Sequence, residues 1–348
     1  MRRMPRARLR RTVAVAVLAL ALTATGGTAA HAEPLTTLAE VRAELQRLYH
    51  DAAVATDRFN AADEQVDAQE KRVDTLQGQV RTAEQKLARL TAQAGAAARA
   101  QYRSGTGAAL PAELQFVLAD DPERALDHAS LARQVQQGTI DTVTALTATG
   151  EELRARSDEA SEVLGRLRTD REARDAERRT VEERIAAAES LESQLAAAQL
   201  QELDDLDTRE ASAAQDAWVD TGVLDTVGTT TTAAGKKAVE YAARQLGKPY
   251  VWGAEGPGGY DCSGLTSQAW LSAGIVIPRT SQAQWQGLTR IPVGSMRPGD
   301  LIVYYSDASH VAIYIGGGEM INAPRPGRTV SIAPAGSMPI LGVVRPDA

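Results

Sequence analysis

The chain has 348 residues but only one cysteine, Cys262, and four histidines. An internal disulfide is therefore impossible, and a lone thiol in an exported protein is either buried and inert or reactive. A free cysteine usually packs as a small apolar residue, so burial is the first interpretation to weigh. Residues 236–348 hold a single histidine, His310. One Cys and one His cannot fill a zinc site, and we expect no metal or other cofactor.

Long apolar runs are also scarce. The one at residues 13–22 follows six arginines and precedes Ala30, His31 and Ala32, which is typical of a secretory signal over residues 1–32. This run is about half of the roughly 20 residues that span a bilayer. We therefore predict a soluble protein that is secreted and acts in the cell wall or the extracellular space.

Proline is absent from residues 35–110. Apolar residues recur there at alternating steps of three and four for about eight heptads, which predicts a coiled-coil seam. A second long helix is predicted over residues 126–214. Gly and Pro between the two helices predict a tip of short helices near 104–133. We interpret residues 33–215 as an all-α coiled-coil hairpin, with a parallel dimer through the first helix as the alternative.

Positive charge is in short supply. The formal net charge is −7, and it becomes −13 (−7 − 6) once the six arginines of residues 1–32 are removed. Such acidity argues against nucleic acid as a partner. Residues 236–348 carry ten basic and seven acidic side chains, so the excess negative charge belongs to the helical region. There it is typical of solvated helix faces.

The remaining chain divides at residue 235. Residues 216–235 end in a Thr/Gly/Ala run that predicts a flexible linker, although its apolar residues, such as Trp218, suit docking onto a neighbouring domain. In 236–348, strands are predicted at 301–305, 310–315, 319–322 and 329–332. Helices that precede strands favour an α+β domain, with an antiparallel sheet packed on helices at one side.

Cys262 lies where a glycine-rich loop becomes a predicted helix. The start of a helix presents free N–H groups and partial positive charge, which favour a thiolate nucleophile. Such a nucleophile needs a base and a third group that orients the base. His310, at a predicted strand start, and Asn322, in the next strand, suit these roles. Asn322 is also compatible with a simple turn position at a strand end.

Six ordered motifs in this region resemble those of the NlpC-type cell-wall endopeptidases, which are papain-like cysteine peptidases of peptidoglycan. The motifs are QLGKPYVWG (245–253), YDCSGL (260–265), PRTS (278–281), PGDL (298–301), HVAIYIG (310–316) and MINAP (320–324). The resemblance covers about the last 110 residues. It implies a papain-like fold with Cys262 as the nucleophile, His310 as the base and Asn322 as the third member. The family often has His at that third position.

The resemblance also implies a substrate site. Tyr250 would border the oxyanion position, and Asp261, Ser263 and Arg279 would lie near the substrate. The family typically cuts peptidoglycan stem peptides between D-isoglutamyl and meso-diaminopimelyl or lysyl residues. A signal, a coiled coil and a catalytic end are similar to exported hydrolases of daughter-cell separation. In those proteins the coiled coil is a regulatory or docking arm, to which a membrane-bound activator would bind.

Two other functions fit the same sequence. One is an amidase related to the CHAP type, which would separate glycan from peptide. The other is a coiled-coil adaptor with a silent catalytic end that only binds wall peptides.

Overall fold

The computed structural model describes residues 37–103 and 122–348. The predicted signal (1–32) and most of the predicted tip (104–133) lie outside these ranges. Within them, no helix combines the length and the apolar character that a membrane span requires.

Two long helices run antiparallel before the sheet domain. Helix α1 (Leu38–Arg103) pairs with α2 (Pro122–Ser193), and ion pairs join Glu70 to Arg171 and Arg72 to Glu159. Residue numbers rise along α1 as they fall along α2, which confirms the antiparallel arrangement. The predicted seam residues of α1 face inward, among them the following buried side chains: Leu45, Leu48, Ala52, Val66, Val73 and Leu76.

The second long helix differs from the prediction of one continuous element over 126–214. It begins at Pro122 and is interrupted at residues 194–196, after which α3 (Ala197–Val219) begins. Ala196 has extended backbone angles, and its N–H donates to the Gln199 side chain at 2.9 Å. This bond satisfies one of the backbone N–H groups that the interruption leaves without a helical partner.

Residues 216–235, predicted as a flexible linker, are ordered against the C-terminal domain. α3 extends to Val219, a 3₁₀ turn covers Val223–Asp225, and α4 (Ala233–Ala243) begins before the segment ends. The Gly228 N–H donates to the Met296 carbonyl at 2.7 Å, and Trp218 packs against Gly336. Apolar side chains thus make this segment part of the packed structure.

The C-terminal domain contains a six-stranded antiparallel sheet of order β1-β6-β2-β3-β4-β5. The strands are β1 (Thr289–Ile291), β2 (Leu301–Tyr304), β3 (His310–Gly316), β4 (Glu319–Asn322), β5 (Ser331–Pro334) and β6 (Ile340–Arg345). The predicted α+β class and the antiparallel sheet are confirmed. Strands β1 and β6 were not predicted.

Helices cover one face of this sheet. α4 and α5 (Cys262–Ser272) pack on Leu301, Val311 and Ile313, while a short α6 (Ser281–Gly287) leads into β1. The opposite face, with Ile302 and Tyr304, is covered by Met296, Trp218 and Val227. The sheet therefore has a core on both sides, and the supposed linker closes the second one.

Candidate active site

Cys262 is the first residue of α5, directly after the glycine-rich loop. Asp261 caps the helix: its backbone is extended and its carboxylate accepts the Gly264 N–H at 2.6 Å. A side chain at position 264 would place a Cβ 2.3 Å from the Ala254 carbonyl oxygen. The loop can therefore pack on the first helical turn, and fix Cys262 there, only because residue 264 is glycine.

His310 and Asn322 lie at the same end of the sheet. His310 is the first residue of β3, and Asn322 is the last residue of the antiparallel neighbour β4. Their side chains are hydrogen bonded, with the Asn322 amide favouring the protonated ring. His310 Nε2 is buried and has no hydrogen-bond partner among the described residues.

Cys262 reaches the start of β3. Its thiol is hydrogen bonded to the backbone N–H of Val311, the residue after His310. On the neighbouring strand, the Tyr304 ring lies 5.9 Å from the His310 ring, centroid to centroid. The fold thus brings the three predicted catalytic residues to one region, where α5 meets the ends of β3 and β4.

Burial controls the protonation of this pair. It raises the pKa of the Cys262 thiol, and the nearby Asp261 and Asp57 carboxylates raise it further, against the Val311 N–H and Arg279. Burial also lowers the pKa of His310 to about 4, against the bond to Asn322. The expected thiolate at a helix start is therefore not favoured in this covered state, and both groups are neutral near pH 7.

The predicted substrate residues form a buried ionic cluster. Arg279 donates from two nitrogens to the two oxygens of Asp261, at 3.0 and 2.7 Å, and also to Ser263 Oγ at 2.9 Å. Its Nε contacts Glu255 at 2.8 Å. Asp261 and Ser263 are completely buried, and Tyr250 is less than a tenth exposed. The cluster holds the cap of the Cys262 helix, while contact of these residues with substrate stays a prediction.

Helix α1 lies across this site. Phe59 packs edge-to-face on Trp252 with ring centroids 5.1 Å apart, and Asn60 Nδ2 donates to Asp261 Oδ2 at 3.1 Å. One turn earlier, Asp57 is hydrogen bonded to Ser281. Thr56 is likewise bonded to Tyr250. Cys262 is only 5% exposed in this arrangement.

Sequence reasoning missed these α1 residues. Thr56, Asp57 and Asn60 are polar and lie off the heptad seam, so the pattern assigns them to a solvated face. In the structure they are among the most buried polar side chains of the helix, each at most 4% exposed. Ser281 belongs to the PRTS motif, but nothing in that motif indicates a partner on α1. Only the packing of the two regions identifies the contact.

Comparison with known proteins assigns the C-terminal part of the chain. Residues 247–339 match the NlpC/P60 family. This region is an NlpC/P60 domain. The chain is similar to a probable endopeptidase of Mycobacterium tuberculosis (44% identity over 99 residues, 28% of this chain and 26% of that protein). It is also similar to a probable endopeptidase of Corynebacterium glutamicum (37% identity over 140 residues, 40% of this chain and 66% of that protein).

Among solved structures, the NlpC/p60 domain of the peptidoglycan hydrolase SagA is 36% identical to this chain. The match covers 32% of this chain and 97% of that domain, with a TM-score of 0.30. The chain thus spans less than two thirds of the first curated relatives' length, about a quarter in the Mycobacterium protein. The likeness concerns the NlpC/P60 domain alone.

Proposed function

We propose that this chain is an exported cysteine endopeptidase that cleaves peptidoglycan stem peptides at the D-isoglutamyl–meso-diaminopimelyl bond, in wall remodelling or daughter-cell separation. One observation carries the proposal. Cys262 begins α5 beside the start of β3, where Asn322 is hydrogen bonded to the His310 ring and His310 Nε2 has no partner among the described residues. This is the order of nucleophile, base and orienting group that acyl transfer requires. The relatives named as endopeptidases support the reaction class.

The chemistry starts with the proton of the Cys262 thiol, which passes to the His310 imidazole. The sulfur attacks the amide carbonyl carbon, and the carbonyl electron pair moves to the oxygen. Backbone N–H groups at the start of α5 stabilise that charge. His310 then protonates the leaving nitrogen as the C–N bond breaks. Water hydrolyses the thioester and restores the thiol, so no net proton stays on the enzyme.

The helical region acts in this proposal as a regulatory arm. Thr56, Asp57, Phe59 and Asn60 occupy the approach to Cys262, and the thiol is buried and protonated beneath them. A substrate peptide reaches the sulfur only when α1 moves. An activator at the membrane that docks on residues 33–215 remains a prediction for what moves it.

The test of the reaction uses the full chain with Phe59→Ala, which removes the packing of α1 on Trp252, and Arg58→Ala, an exposed neighbour, as its control. Purified peptidoglycan is digested and the products are analysed by mass. Fragments that end at D-isoglutamate support the proposal. Stem peptides freed from the glycan identify an amidase instead, and a digest without new fragments identifies a silent adaptor.

The covering role of α1 is tested separately, by the rate at which a maleimide labels the Cys262 thiol. Phe59→Ala should label faster than the wild type, since the thiol becomes accessible, while Arg58→Ala should not differ. Equal rates in all three chains would contradict a covering role for α1.

A further inference from the structure

Ser281 Oγ makes two hydrogen bonds, and its own single proton can serve only one of them. Ser281 Oγ lies 2.6 Å from the Ala308 carbonyl oxygen and is also hydrogen bonded to Asp57 Oδ2. A serine hydroxyl has one proton to donate, and a backbone carbonyl can only accept. If the hydroxyl donates to Ala308, Ser281 Oγ must accept from Asp57. An ionised carboxylate has no proton to give, so both bonds can be made at once only when Asp57 is a carboxylic acid.

The charges around Asp57 point the same way. Asp57 is 2% exposed and faces the Asp261 carboxylate and the Cys262 thiol, both at the start of α5. The cation of this cluster, Arg279, directs its donors to Asp261, Ser263 and Glu255. Among the described residues, the donors that contact Asp57 are neutral. They are the backbone N–H groups of Ser281 and Gln282, and the Ser281 hydroxyl when it is turned towards an ionised Asp57.

A buried carboxylate without a cation, close to a second carboxylate, favours its neutral form. Accordingly, burial and the Asp261 charge raise the pKa of Asp57 to about 7, against the hydrogen bonds from Ser281 and Gln282. Tyr250, which also faces this group, stays neutral because burial raises its pKa. His310 stays neutral because burial lowers its pKa to about 4. Asp57 is therefore the group of this cluster that changes charge near neutral pH.

We propose that Asp57 is a proton-dependent latch: as a neutral acid that donates to Ser281 Oγ it holds α1 over the active site, and its ionisation releases the helix. The proposal rests on the covering role of α1 in the proposed function. Ionisation places two carboxylates, Asp57 and Asp261, in one buried site and makes one of the two Ser281 bonds impossible. Movement of α1 then returns Asp57 to water, where its charge is solvated.

The stability of the covered state depends on pH because the covered and open states bind the Asp57 proton with different affinities. The covered state binds the proton more tightly than the open state, because Asp57 regains an ordinary carboxyl pKa once it is in water. The latch is therefore fully present below about pH 4, weakens as the pH rises towards about 7, and changes little above that. His50, 3.0 Å from Asp307, is another titratable contact of α1 with the C-terminal domain and must be controlled.

The experiment measures maleimide labelling of Cys262 in the full chain from pH 5 to 8.5. The rate for the wild type is divided by that for Asp57→Asn, which cannot ionise and keeps an oxygen and a donor at this position. The division removes the pH dependence of the thiol in the open state. We expect this ratio to rise by about tenfold per pH unit between pH 5 and 7 and then to level off. A constant ratio would overturn the proposal.

Two controls isolate Asp57. Asp63→Asn changes a half-buried aspartate of the same helix, which pairs with Arg174, and His50→Gln removes the other titratable contact. Each should keep the wild-type pH dependence; a flat profile in His50→Gln would transfer the effect to His50 and refute the latch at Asp57. If Asp57→Asn misfolds, hydrogen exchange of residues 281–287 in the wild type replaces it. After correction for intrinsic rates, protection there should fall between pH 5 and 7, and unchanged protection would refute the latch.

Labelling requires no peptide cleavage, which separates the two proposals. A pH-dependent labelling ratio together with an inactive digest would support the latch and reject the peptidase. An active digest together with a constant labelling ratio would support the peptidase and reject the latch.

Discussion

At the scale of single residues, the hydrogen bond between Asn322 and His310 orients the imidazole ring. Asn322 is 2% exposed and ends β4, so its amide has a fixed position. An amide oxygen that accepts one ring N–H fixes the tautomer of the imidazole and leaves the other nitrogen able to act as the base. An amide does this without a charge of its own.

Replacement of Asn322 should therefore affect the chemical step. We expect Asn322→Ala to lower kcat roughly 10²-fold with little change in KM, since the ring loses its orientation but the substrate site does not. Asn322→His should restore much of the rate, because a ring nitrogen can also accept the bond. The assay is peptide release in the Phe59→Ala background. An Asn322→Ala chain with unchanged kcat would show that Asn322 is only a strand-end residue.

Arg279 neutralises the completely buried Asp261. Arg279→Met should lower the free energy of unfolding by about 3–5 kcal/mol, because it leaves the Asp261 charge buried without an opposite charge beside it. Thermal unfolding of the full chain measures the loss, and Lys236→Met, at an exposed position, is the matched removal of charge. Similar melting of the two variants would contradict a structural role for the ion pair.

At the scale of secondary structure, α6 packs closely on β6 because residue 342 is glycine. A Cβ at this position would lie 2.6 Å from the ring of Trp285 on α6. Gly342→Ala should therefore destabilise the domain by about 1–3 kcal/mol through overpacking. At Gly258, where a Cβ would meet nothing within 4 Å, the same substitution should change stability by less than about 0.5 kcal/mol. Equal melting temperatures for the two variants would refute the close packing of α6 on β6.

The strands with a clear sequence pattern could be predicted, and those with a weak pattern could not. β2, β3 and β4 are apolar runs bounded by clear turns, and they were predicted nearly at their observed bounds. β1 has only three residues and β6 contains Gly342, so neither shows a strong strand pattern. Predicted residues 329–332 overlap β5, which is shifted by two residues. In α1 the heptads predicted the inward-facing seam, because that periodicity depends on local spacing alone.

At the scale of the whole molecule, the sequence predicted the helical region and the C-terminal domain, but not the contacts between them. Cys262, His310 and Asn322 could be proposed as a catalytic group because a lone cysteine, a lone histidine and a polar strand end have few alternative partners. The contact of Asp57 and Asn60 with the C-terminal domain could not, since it joins residues more than 200 positions apart. Likewise, the apolar character of Trp218 indicated docking onto a neighbouring domain, but not that this residue covers the second face of the sheet.

The most direct test of the account compares peptidoglycan digestion by the Phe59→Ala chain with Cys262 intact and with Cys262→Ala. The account predicts that the first chain releases fragments ending at D-isoglutamate, and that the second releases none above the level without enzyme. Equal release by both chains would contradict it, because the bond would then be opened without the Cys262 sulfur.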